Sequence, residues 1–165
     1  MRDSSETVTS IIPERESESN AQHPITAVES AAYTVPTDKP ESDGTFEWSS
    51  TTIIIAEVTA SGVTGIGYTY SSPAAAVVIR EHLASAVSGC DAMIISTAWD
   101  RMLHAVRNIG RPGIAAAAIS AVDNAIWDLK SKLLELPLVA LLGPVRTNVP
   151  VYGSGGFTSY SVAEV

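Results

Sequence analysis

The 165-residue chain carries 10 Lys and Arg against 18 Asp and Glu, a formal net charge of −8. That balance argues against binding nucleic acid or an anionic membrane, since the phosphates of neither would be neutralised. A hydrophobic content of 45% suffices for one ordinary domain with a real core, with room for a piece of a second. The single cysteine, Cys90, excludes an internal disulfide and a cysteine-built zinc site. No apolar run approaches the roughly 18–20 residues of a membrane span, and the N-terminus has no apolar signal region. A soluble, cytoplasmic protein is expected.

Residues 1–23 mix Asp3, Glu6, Glu14, Glu16 and Glu18 with Ser and Thr and show no apolar period. They read as a disordered acidic tail. Residues 25–35 read as a strand ending at Pro36. Residues 36–50 hold two prolines, a glycine and several acids, which is loop chemistry, although the stretch also carries Phe46 and Trp48. The β-branched run 51–60 is a strong strand, and 63–70 its hairpin partner across Ser61-Gly62. The first third is therefore expected to be an antiparallel meander.

After Pro73 the spacing turns helical. Val77, Ile79, Leu83 and Val87 share roughly one face, and Gly89 ends that helix. Trp99, Met102, Leu103 and Val106 follow at i, i+3, i+4 and i+7, which predicts a second helix over about 95–108. The third, near 113–135, lines one side with Ala115, Ala118, Ala121 and Ala125. Small residues allow close approach, so it should lie buried against the sheet. Residues 138–142 make one more helical turn. Val149-Pro150-Val151-Tyr152 then reads as a short strand, Gly153-Ser154-Gly155-Gly156 as a loop, and Ser159 as the cap of a helix that the sequence leaves in its first turn. The expectation is a chain cut inside a β-loop-α unit.

Few residues converge on chemistry. Asp123 and Asp128 stand about 140° apart on a helix, so they do not form an acid–base or metal pair. Asp128 and Lys132 have the favourable i, i+4 ion-pair order. Lys130 and Lys132 are about 200° apart and cannot serve one substrate together. His23, His82 and His104 are scattered, with no local metal pair. The run 153–156 lacks both the serine spacing of a nucleophile elbow and the lysine of a P-loop. Cys90 has no histidine neighbour and reads as an inert thiol. No catalytic and no metal-ligating residue is expected in this chain.

The run Ala118-Ile119-Ser120-Ala121-Val122-Asp123-Asn124-Ala125-Ile126-Trp127-Asp128-Leu129-Lys130 resembles the helix signature of the mandelate racemase/muconate lactonizing enzyme branch of the enolase superfamily. Leu136-Pro137-Leu138 and Leu141-Leu142-Gly143 are similar to its Gly-Pro-Leu and Leu-Leu-Gly elements, with Leu136 where glycine is usual. Thr64-Gly65-Ile66-Gly67 resembles its Gly-x-Gly, with Tyr68 where glutamate is usual. Val149–Tyr152 looks like the first strand of its barrel. The likeness covers about residues 24–160.

The resemblance implies an α+β fold: a three-stranded antiparallel sheet packed on a helical bundle, as a capping domain over 24–146. The truncated start of a TIM-like barrel follows over 147–165. It implies an enzyme that abstracts the proton α to a carboxylate, as racemase, epimerase or dehydratase, acting on a small carboxylate substrate such as an acid sugar. It implies Mg²⁺ for the complete enzyme and none for this chain. Metal ligands and bases, including a Lys-x-Lys pair, belong to barrel strands after the first, so this chain alone is expected to be inactive. By position, the loops 36–50 and 68–73 would close over the barrel mouth, with Phe46, Trp48, Tyr68 and Tyr70 as apolar walls. The competing reading is a non-catalytic truncated protein serving as a binding or interaction module. An unpaired strand at 149–152 should be loosely held, or should pair with another copy as a homo-oligomer.

Overall fold

The structure is a computed structural model that describes residues 22–153 and 156–164. The tail expected over 1–23 lies outside the described residues, Gln22 and His23 excepted, as do Ser154 and Gly155 of the glycine-rich run. Strands β1 (Ile25–Ser42), β2 (Glu47–Ala60) and β3 (Val63–Tyr70) form one antiparallel sheet in that order. Ser61 and Gly62 turn β2 into β3, both at positive φ (51° and 77°), as a tight two-residue hairpin requires. The foot of β1 is pinned by Ile25, whose N–H donates to the Cys90 carbonyl and whose carbonyl accepts from Gly89, both at 2.9 Å.

The expectation of a loop over 36–50 is corrected here: the two strands run on through it. Val28 to Pro36 pairs continuously with Val58 to Ser50, the register then slips, and pairing resumes at Glu41 with Trp48 and Ser42 with Glu47. Pro36 and Pro40 flank the slip, and neither has an N–H to give to a ladder. The prolines therefore break the register without ending the hairpin.

Helix α1 (Ala74–Val78) runs through a π-helical turn (Ile79–Leu83) into α2 (Ala84–Val87). Ile79, Leu83 and Val87 are fully buried, whereas Val77 faces outward. Their i, i+4, i+8 spacing drifts about 80° around a straight α-helix, and a wider π turn brings the three back into line. Helix α3 (Ile95–Ala105) buries Ala98 and Met102, with Val106 just past its end. Helix α4 (Ile114–Leu133) buries Ala115, Ala118, Ala121, Val122, Ala125, Ile126 and Leu129, and α5 (Leu138–Leu142) follows as a short exposed turn. The core lies between the helices and one face of the sheet, to which Ile54, Ala56, Val58 and Ala60 contribute.

The Gly65-x-Gly67 pair is structural. Both glycines face α4 with no side chain between. A Cβ on Gly65 would meet the Ala125 carbonyl and the Leu129 backbone N–H, and one on Gly67 would meet the Ala121 carbonyl and the Ala125 N–H. Strand and helix backbones are thus in contact, as the alanine stripe allows. The same helix also covers the open edge of β3. Asp128 Oδ2 accepts from the Ile66 N–H at 2.7 Å, and Lys132 Nζ donates to the Thr64 carbonyl at 2.9 Å. The two side chains pair with each other at 2.7 Å. The aspartate of the helix signature therefore satisfies an edge strand that would otherwise offer its N–H to another chain.

No strand forms over 149–152. Val151 and Tyr152 are almost fully exposed, and no ladder partner stands beside them among the described residues. Alternating apolar residues become a strand only against a neighbour that takes their hydrogen bonds. Beyond the glycines, Val162–Glu164 forms a single 3₁₀ turn.

Gly67→Ala should cost roughly 3 kcal/mol or more, because backbone rather than a flexible side chain occupies the space. Urea unfolding of both proteins checks this, and a variant within about 0.5 kcal/mol of the parent would contradict the contact.

Candidate functional site at the hairpin tip

The tip of the β1–β2 hairpin is built around Asp43. Its Oδ1 accepts from the Thr45 N–H (2.8 Å), the Thr45 hydroxyl (2.7 Å) and the Phe46 N–H (2.9 Å). The Ser42 hydroxyl accepts from the Gly44 N–H at 3.1 Å, and Gly44 takes a φ of 90°. An aspartate satisfying its own turn in this way is ordinary Asx-turn chemistry, and glycine supplies the positive φ. Below the turn, Trp48 Nε1 donates to Glu41 Oε2 at 2.8 Å across the strands. The three bonds to its carboxylate, from the Thr45 side chain first, hold Asp43 below the usual 3.8.

Aromatic rings collect on this turn. Phe46 and Trp48 stack with centroids 6.4 Å apart. Phe157 meets Trp48 edge-on at 5.5 Å, and Tyr160 meets Phe157 edge-on at 5.4 Å. Lys39 Nζ stands 4.3 Å from the centre of the Tyr160 ring. The Ser42 carbonyl accepts twice from Thr158, from its N–H at 3.0 Å and its hydroxyl at 2.7 Å. Residues 157–160 thus lie against the tip. Phe46 remains 69% exposed, so the cluster presents an open apolar surface.

The four aromatics singled out in the sequence fall into two pairs. Phe46 and Trp48 sit together at the tip. Tyr68 and Tyr70 are neighbours on β3, edge-to-face at 6.2 Å, paired across the ladder with Ile55 and Ile53. In β2 the alternation puts Trp48 on the face of Ile54, Ala56 and Val58, and Ile53 and Ile55 on the other. The two pairs therefore occupy opposite faces of the sheet. Phe157, Tyr160, Lys39 and Glu41 escape sequence reasoning: Thr158 and Ser42 are 116 residues apart, and no local pattern links them.

The remaining candidates serve structure. Lys130 Nζ donates to the Met93 carbonyl at 2.9 Å, far around α4 from Lys132 and its bond to Thr64. Burial raises the Asp123 carboxyl above its usual value. His23 Nδ1 lies 3.0 Å from the Ser61 hydroxyl, and His104 Nδ1 lies 2.8 Å from the Asp100 carbonyl on its own helix. Cys90 is buried. Among the described residues no three His, Cys, Asp or Glu side chains gather as a metal set. Nor is any helix among them long and apolar enough to cross a membrane.

The family model for the N-terminal domain of mandelate racemase/muconate lactonizing enzymes matches residues 25–143. The chain belongs to that family. The L-talarate/galactarate dehydratase of Salmonella typhimurium is 41% identical over 110 residues, which are 64% of this chain and 28% of that protein. The L-rhamnonate dehydratase of Saccharopolyspora erythraea is 36% identical over 106 residues, 64% of this chain and 27% of its own. Among solved structures, a mandelate racemase/muconate lactonizing enzyme-like protein of Rubrobacter xylanophilus superposes with a TM-score of 0.82 at 50% identity, over 85% of this chain and 39% of that one. The L-talarate dehydratase of Polaromonas, complexed with Mg and L-glucarate, gives 0.74 at 33%, over 86% and 41%. This chain thus spans between about a quarter and two-fifths of these relatives' lengths.

Because the folded-state pKa of Asp43 is depressed, its hold on the turn is complete above the unfolded value of about 3.9 and fades as pH falls through the folded one. The amide resonances of Thr45 and Phe46 should shift together on acidification with a midpoint below 3.8. A midpoint at or above 3.8 would contradict the three-bond turn.

Proposed function

We propose that the chain is the specificity-bearing N-terminal part of a Mg²⁺-dependent enolase-superfamily enzyme acting on an acid sugar, a dehydratase or a racemase. The observation that carries the reading is the aromatic hairpin tip resting against residues 157–160. Those residues follow the segment that resembles the first barrel strand, and the loops after barrel strands form the active-site face of a TIM-like barrel. A tip seated there overhangs the mouth. Phe46 and Trp48 would then exclude water from one side of the substrate, and Glu41 fixes the tryptophan ring through its indole N–H. Tyr68 and Tyr70 stand on the other sheet face, so this reading gives the lid role to Phe46 and Trp48. The L-rhamnonate and L-talarate/galactarate relatives are dehydratases, which favours dehydration.

Asp43 is engaged in its own turn and Asp128 at a strand edge, and this reading gives neither a part in proton abstraction. That step belongs to barrel residues such as a Lys-x-Lys strand, and the capping part positions and shields. A cytoplasmic location is part of the proposal. The other reading is a stand-alone binding module, and no observation at the tip favours it over the enzyme reading.

The coding sequence beyond Val165 tests the enzyme reading. It should continue in frame into a Lys-x-Lys strand and spaced acidic strand ends, and the encoded protein should release water from an acid sugar, or epimerise it, only with Mg²⁺. In that protein Trp48→Ala should raise KM by roughly tenfold, the size expected when a buried aromatic contact is lost. A stop codon directly after Val165, or a KM unmoved by the substitution, would overturn the assignment.

A further inference from the structure

The tip is joined to the sheet by a weak link. Residues 37–40 stand opposite Ser49 alone, as the register passes from Pro36–Ser50 to Glu41–Trp48. The two prolines remove two ladder donors, and within the bulge the Thr37 hydroxyl donates to the Lys39 carbonyl at 2.7 Å. Beyond the link the hairpin has only two ladder pairs, and so short a hairpin is marginal in water by itself. Its Asx turn and the Trp48–Glu41 bond give it a shape but do not fix its position on the sheet.

Position comes from residues 157–160. Two hydrogen bonds converge from Thr158 on the Ser42 carbonyl, the Phe157 ring stands against Trp48, and the Tyr160 ring lies beneath Lys39. These contacts fall on both strands of the tip and on the bulge itself. The segment 157–160 in turn has no regular secondary structure of its own, so it is ordered by what it touches. Each side therefore supplies what the other lacks.

From this we infer that Phe157, Thr158 and Tyr160 are positioning residues that clasp the hairpin tip, and that the tip and this segment order each other across the hinge at 37–40. Its consequence for substrate rests on the lid reading above: an enzyme built this way sets its lid and the loop after its first barrel strand in one event, so Thr158, through its bonds to Ser42, governs where Trp48 stands.

Coupling between two segments must be reciprocal, and the 165-residue chain can be tested for that without any substrate. Hydrogen exchange is followed in the tip (43–48), at the Thr158 amide, and in the sheet body (53–58) as reference. In the double variant Phe157→Ala, Thr158→Val, exchange over 43–48 should rise at least fivefold. In Asp43→Ala, which loosens the tip alone, the Thr158 amide should likewise exchange at least fivefold faster. Residues 53–58 should be unchanged in both. The conservative pair Phe157→Tyr, Thr158→Ser keeps a ring and a hydroxyl and should restore parental rates, which a generally destabilised fold would not do. Should either segment keep its rate while the other is loosened, or should the conservative pair fail to restore it, the clasp is refuted. Neither readout involves turnover, so the clasp can fail while the acid-sugar reading stands, and the reverse.

Discussion

Everything in this fold is arranged around a strand lying directly on a helix. Gly65 and Gly67 bring the backbone of β3 onto α4, where Ala121 and Ala125 leave room for it. Close-packed interiors tolerate such contact only where both surfaces lack side chains. Once β3 is seated, Asp128 and Lys132 reach around its edge to the Ile66 N–H and the Thr64 carbonyl. The helix thereby fixes the strand in position as well as in plane. β2 pairs with β3 and β1 with β2, so the placement propagates across the sheet to the hairpin at its far side.

The distance between that contact and the candidate site is the functional point. The sheet body is rigid, with its inner face fully buried at Ile54, Ala56 and Val58. The hairpin leaves that body through two prolines and carries an aromatic tip well beyond the core. A scaffold that is firm at one end and adjustable at the other is a usual arrangement for recognition elements. Tyr68 and Tyr70 belong to the sheet body, and Phe46 and Trp48 to the tip beyond the prolines.

Much of this was legible in the sequence, for identifiable reasons. The β-branched run 51–60 and the Ser61-Gly62 turn have only one sensible partner in 63–70, and the alanine stripe of 115–125 announces a helix that must approach something closely. The family signature could be read but not its purpose: Asp128 reads as half of a surface ion pair until the Ile66 amide is seen beside it. The hairpin beyond Pro36 was hidden because prolines and acids spell a loop, whereas here they mark a bulge and an Asx turn. Residues 149–152 have the apolar alternation of a strand that was expected to lack a ladder partner, and among the described residues no neighbour takes their hydrogen bonds. Phe157, Thr158 and Tyr160 could not have been found, because only the folded chain brings them to the tip.

The central claim is that the hairpin tip covers a substrate. A crystal structure of the longer protein, determined with Mg²⁺ and a bound acid-sugar analogue, measures this directly. The account predicts ring atoms of Trp48 or Phe46 within about 4 Å of the ligand, the ordinary contact distance. A ligand fully enclosed by barrel residues, with the tip turned to solvent and touching no part of it, would contradict the account.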